Sequence, residues 1–175
     1  MRRGGMSIAQ IVLELEHQDL LPAIVFRSAR AQCDFDVEKA QTNRKLQLHS
    51  KKQQAIRDCV QDIIKVYDLE EELIHSHPHF HSLVLTGIGA HHAGHLLMWR
   101  LLLEELMSRG VLRVLVATGT VAAGVDFPAR TAVVTSDSRR GSEGYMKFSS
   151  SEFQQMSGRA CRRGKDTVGC CLAAP

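Results

Sequence analysis

VLRVLVATGTVAAGVDFPARTAVV, residues 111–134, holds two β-branched apolar runs separated by a polar, glycine-bearing loop. Val111–Thr118 and Thr131–Ser136 are short and rich in β-branched and apolar residues, as expected of strands buried on both faces rather than amphipathic helices. Strands of that kind belong in parallel sheets covered by helices on each side. Between them, Thr118-Gly119-Thr120 brings hydroxyls and backbone N–H groups to the start of a short helix that Pro128 ends. Such a turn suits a phosphate group. Gly124-Val125-Asp126 sets one carboxylate just beyond, as acidic residues are set to accept from ribose hydroxyls in dinucleotide sites. A strand–GxT–helix turn is also common structural punctuation, so the loop alone leaves both readings open.

The alternation continues outward from this segment. Ser7 is placed to cap a first helix carrying Ile8, Ile11, Val12 and Leu15 at helical spacing. The short run Ala23–Phe26 after Pro22 reads as a buried strand. Residues 29–74 are polar and helix-prone, with Ile56, Val60, Ile63, Ile64 and Tyr67 forming an apolar stripe, and Pro78 interrupts the helical pattern. GIGAHHAG (87–94) then leads into a leucine-rich helix over about 95–108, stopped at Gly110. Downstream, Ser151 and Gln154 have the spacing of a capping box for a helix over 152–160, and VGCCLAA (168–174) reads as a last strand. The expected class is α/β, a parallel sheet with right-handed crossovers and helices on its faces. Ligands of open parallel sheets lie at the carboxyl edges of the strands, which is where the loop after Thr118 belongs.

Composition is ordinary for a soluble globular domain. The 175 residues carry a formal charge of +3, too mild to imply nucleic-acid binding by itself. Its distribution is uneven, because Arg139, Arg140, Lys147, Arg159, Arg162, Arg163 and Lys165 face only Glu143 and Glu152 over residues 139–165. Within this region QQMSGRACRRG (154–164) spaces Gln155, Arg159 and Arg162 at i, i+4 and i+7, one face of a helix. Guanidinium forks in a row match phosphate oxygens, and the same spacing also fits a solvated basic face. Five scattered cysteines without a CxxC pair read as reduced intracellular thiols. No apolar run reaches the roughly 20 residues of a membrane span. Glu14 and Glu16 interrupt the N-terminal apolar positions, so no signal peptide is expected, and the expected location is cytoplasmic, or nuclear in a eukaryote.

The histidines are a separate question. His75, His77, His79 and His81 alternate, and His91, His92 and His95 come after them. His91 and His95 are spaced to share a helix face, but no nearby carboxylate or cysteine completes a ligand set. No metal site is therefore expected, and a histidine-rich metal-binding domain stays the weakest alternative.

Taken in order, LLPAIVF (20–26), GIGAHHAG, VLRVLVATGTVAAGVDFPARTAVV and EFQQMSGRACRRG (152–164) resemble motifs IV, IVa, V and VI of the second RecA-like domain of superfamily-two helicases. The similarity is to the DExH-box branch of exosome-associated RNA helicases and archaeal repair helicases. It divides the chain into an N-terminal helix and lead-in (1–19) and a RecA-like domain (20–175), with a variable helical insertion at about 35–80. The resemblance implies that Arg159 and Arg162 are arginine fingers for the γ-phosphate of ATP, with Gln155 near the nucleotide. It implies Gly124 and Asp126 along the nucleotide, with Asp126 toward the ribose, and Thr118, Thr120 and the backbone of Gly94 near nucleic-acid phosphates. Cys161 stands where the family usually has glycine, and Asp126 where many relatives have asparagine. No GxxxxGK[ST] loop and no DExH sequence lies in these residues. ATP, with its Mg²⁺, is accordingly expected to be held by a first RecA-like domain, in another chain or in an N-terminal part. A non-catalytic remnant that binds nucleic acid or a helicase partner is the alternative.

Overall fold

The computed structural model describes residues 6–119, 129–135, 138–141, 144–147, 149–157 and 170–173. Ser7 does cap the first helix, α1 (Ile8–His17). Its hydroxyl accepts from the Gln10 N–H while the Gln10 side chain accepts from the Ser7 N–H, a reciprocal pair that satisfies two end donors. Next come β1 (Ala23–Arg27), α2 (Arg30–Thr42), α3 (Ser50–Tyr67), α4 (Glu71–His75) and α5 (Phe80–Thr86). They are followed by β2 (Ile88–His91), α6 (Leu97–Ser108), β3 (Val114–Thr118) and β4 (Thr131–Val134). A short antiparallel ribbon, β5 (Ser138–Gly141) with β6 (Gly144–Lys147), precedes α7 (Ser150–Ser157) and β7 (Cys170–Ala173).

Among the described residues, five strands form one sheet in the order β2-β3-β1-β4-β7, every pair parallel. The α/β class expected from the apolar runs is the class observed. Period-two alternation divides the strand residues between two cores. Ile24, Phe26, Leu115, Ala117, Ala132 and Val134 pack with α3, α6 and Met156 of α7 on one face. Ala23, Val25, Val114, Val116 and Val133 pack with α1 and α2 on the other. Each fully buried branched side chain contributes about 1.5–3 kcal/mol, so both faces are needed to hold five short strands together.

Three local features differ from the sequence expectation. The stripe on α3 buries Ile56, Val60, Ile63 and Ile64, but Tyr67 is 41% exposed at the end of the helix, where Asp68 turns in the left-handed conformation. The box on α7 is two residues earlier than expected. Ser149 and Glu152 exchange the reciprocal bonds, Ser149 N–H to Glu152 Oε2 at 2.8 Å and Glu152 N–H to Ser149 Oγ at 3.1 Å. Finally, Ile88–His91 is a strand at the edge of the sheet, although its glycine and the one before it hid it.

Gly89 explains that strand. A Cβ there would come 2.6 Å from Leu103 Cδ2, and Leu103 is fully buried in α6. The missing side chain lets α6 lie directly on β2. Gly89→Ala is expected to lower unfolding free energy by roughly 1–3 kcal/mol, as overpacking does when the neighbour has no free volume to enter. Urea titration of the two proteins reads this directly, and an unchanged midpoint would mean that Leu103 swings aside without cost.

Candidate functional site at the carboxyl edge of the sheet

The parallel register brings the ends of three strands level. Arg27 of β1 pairs with Thr118 of β3, and Ala117 pairs with His91 of β2. Thr118 is nearly buried, at the point where the chain leaves the sheet. This is the edge at which open parallel sheets bind ligands. Gln155 is exposed on α7, and the neighbouring Met156 is buried and holds that helix against β4. Arg159, Arg162, Gly124, Asp126, Thr120 and Cys161 lie outside the described residues.

Gly94 follows β2 in an exposed turn, but its N–H is committed to His92 Nδ1 at 3.1 Å. That bond fixes the ring. With Nδ1 accepting, the proton of the neutral imidazole sits on Nε2, which donates to Asp34 Oδ1 at 2.9 Å. A Cβ at Gly94 would meet the His92 ring at 3.0 Å, so the close approach requires glycine. The Gly94 amide is thus turned toward the His92 ring.

Asp34 is the residue that sequence reasoning missed. It lies on α2, 58 positions before His92, and receives His92 Nε2 and His95 Nε2 on one oxygen, each at 2.9 Å. His79, immediately before α5, points Nδ1 at the same oxygen from 3.9 Å. His77 stacks on Trp99 with ring centroids 3.7 Å apart and planes 5° from parallel. His91, expected to share a helix face with His95, is instead the last residue of β2 and bonds Glu104 Oε1 of α6 at 2.7 Å. The expectation that no carboxylate stands with the histidines is therefore corrected, because α2 delivers one across the fold. Sequence spacing carries no signal for such a pairing.

Burial sets the charge states of this group. It depresses the pKa values of His79 and His95 and takes His77 down to about 4, so these imidazoles are neutral near pH 7. Burial also pushes the Asp34 carboxyl up, but the His92 and His95 donors outweigh it and hold the group below its usual value. A short distance away, the Arg27 Nε–Asp36 Oδ2 pair at 2.6 Å is almost fully enclosed, and Arg27 also donates to the Met6 carbonyl. Burial raises the Asp36 pKa against the pull of that guanidinium.

Among the described residues, no helix is long and apolar enough to cross a membrane. Residues 87–164 match the family described as the helicase conserved C-terminal domain. Over 166 residues the chain is 34% identical to the DExH-box ATP-dependent RNA helicase DExH15, chloroplastic, of Arabidopsis thaliana, covering 93% of this chain and 13% of that protein. It is 33% identical over 172 residues to the probable helicase HelY of Mycobacterium tuberculosis, covering 91% and 18%. The exosome RNA helicase MTR4 of Homo sapiens is 30% identical over 168 residues, covering 95% and 16%. The chain therefore spans less than a fifth of the length of these relatives. With a RecA-like parallel sheet under motifs in the expected order, the chain belongs to the helicase C-terminal domain family, in its superfamily-two DExH-box branch.

Proposed function

We propose that this chain is the second RecA-like half of an ATP-dependent nucleic-acid helicase, acting on RNA. In this reading Arg159 and Arg162, with Gln155, reach ATP that a first RecA-like domain holds with Mg²⁺, and Gly124 and Asp126 line the nucleotide. Thr118 and Thr120 grip the phosphates of the strand, and the backbone of Gly94 lies near the same phosphates. The observation that carries the proposal is the order of GIGAHHAG, GVDFPAR and QQMSGRACRRG within the matched span 87–164. Helicases and RNA helicases among the relatives support it, as does the position of Thr118 and His91 at the ligand-binding edge.

Phosphoryl transfer requires positioning and charge stabilisation more than covalent chemistry, so two arginines supplied across a cleft are a sufficient contribution from this half. ATP is the substrate, and the residues of this chain do not cradle its phosphates through a GxxxxGK[ST] loop. Closure of two domains on ATP would bring the arginines in, and product release would let them go. Backbone contacts imply little sequence preference in the strand and a steep salt dependence of binding. A cytoplasmic or nuclear setting fits the scattered thiols.

The test is reconstitution with a P-loop-bearing first domain of a DExH-box relative. RNA-stimulated ATP hydrolysis should appear in the mixture and in neither component alone. If RNA binding persists while no such domain yields turnover, the chain is a non-catalytic binding module and the proposal falls.

A further inference from the structure

We propose that Asp34, His92 and His95, completed by His79, form a binding site for a single divalent transition-metal ion of the zinc class. Three imidazoles and one carboxylate are a donor set suited to tetrahedral Zn²⁺. One atom each from Asp34, His92 and His95 already lie within 4.8 Å of one another. The Asp34 oxygen stands 2.9 Å from two imidazole nitrogens and 3.9 Å from the third. Ligands of a tetrahedral ion with bonds of about 2.0–2.1 Å lie roughly 3.3 Å apart, so the observed separations bracket the required one.

The second observation is His79. Its side chain is 8% exposed, and its Nδ1 is buried, aimed at Asp34 and without a hydrogen-bond partner. A buried nitrogen left unpaired costs free energy, and a cation between it and Asp34 removes that cost. Neutral imidazoles are the form that ligates. Asp34 is one-third exposed, which leaves an entry path from solvent. The ion would tie together α2, the start of α5 and the turn after β2, three segments far apart in the chain.

Coordination has a stated consequence at His92. Its Nε2 must give up the proton to bind metal, and the neutral ring then carries hydrogen on Nδ1. Nδ1 can no longer accept from Gly94, so the Gly94 N–H bond must break. Metal occupancy would therefore change the backbone of the turn that the helicase reading places beside the strand.

The experiment uses the full chain with any affinity tag removed, titrated with Co²⁺ and then Zn²⁺. One equivalent of Co²⁺ giving the intense visible bands of a tetrahedral site, displaced by Zn²⁺, is the expected result. The Gly94 amide resonance should move on binding. Asp34→Asn and His95→Asn should each weaken Zn²⁺ at least about 10-fold, while His81→Ala, an exposed histidine, leaves it unchanged. Circular dichroism checks that the variants remain folded. No retained ion, weak octahedral cobalt bands in the unmutated chain, or equal affinity in folded Asp34→Asn would overturn the proposal.

Discussion

With a P-loop-bearing first domain and RNA present, Arg159→Ala is expected to lower ATP turnover by roughly 10³-fold, the lower end of what arginine fingers contribute. The loss should fall on kcat with little change in nucleotide affinity, because the guanidinium would meet charge that develops only in the transition state. Arg159→Lys keeps the charge but not the planar fork, so it should recover only part of the rate. RNA binding at fixed salt should be nearly unchanged, which separates this role from a phosphate contact to the strand. Arg162→Ala is expected to behave in the same way, and the double variant should lose far less than the product of the single losses if both arginines act on one phosphate. Equal turnover in the Arg159 variant would remove the finger assignment, whatever the family relation.

The largest expected loss of stability is at Arg27, the last residue of the central strand β1. Arg27→Ala strips the partner from Asp36, whose side chain is only 7% exposed, and leaves a carboxylate enclosed among α1 and α2. Breaking a buried pair in this way costs about 3–5 kcal/mol, a large part of the roughly 5–15 kcal/mol that holds a domain together. Replacing both residues at once, Arg27→Met with Asp36→Leu, should cost much less, since neither charge then remains to be desolvated. Chemical denaturation of the single and double variants measures this difference. A double variant as unstable as Arg27→Ala would instead assign the effect to the Met6 carbonyl contact or to packing.

The apolar runs made the sheet legible because strands buried on both faces leave little choice of residue type. Val114–Thr118 and Thr131–Val134 are strands, and Ser7 is a helix cap, as their local chemistry requires. Ile88–His91 was not legible, since Gly89 is there for Leu103, a residue that sequence periodicity cannot place opposite it. The cap of α7 slipped by two positions because serines at 149, 150 and 151 all offer a hydroxyl, and only Ser149 has a glutamate three residues on. The β5–β6 ribbon went unread because its arginines and lysine look like a solvated surface. Asp34 was beyond reach for a different reason. Its meaning comes from tertiary proximity to His92 and His95, and a lone aspartate in a polar helix carries no mark of that. The motifs around Gln155 and Thr118 were legible as an ordered set, because they follow the order of a known family within the matched span 87–164.

The strand order has a consequence for synthesis. β1 lies between β3 and β4, so the centre of the sheet is made before the two strands that flank it, the first of which comes about 90 positions later. At ribosomal rates that is a wait on the order of 5–20 s, during which the strand residues of β1 have no neighbour to bond. β2 cannot fill the gap, since among the described residues it pairs with β3 alone. A nascent chain halted before Val114 would hold its helices without a sheet, and become chaperone-dependent at the point where its centre is exposed.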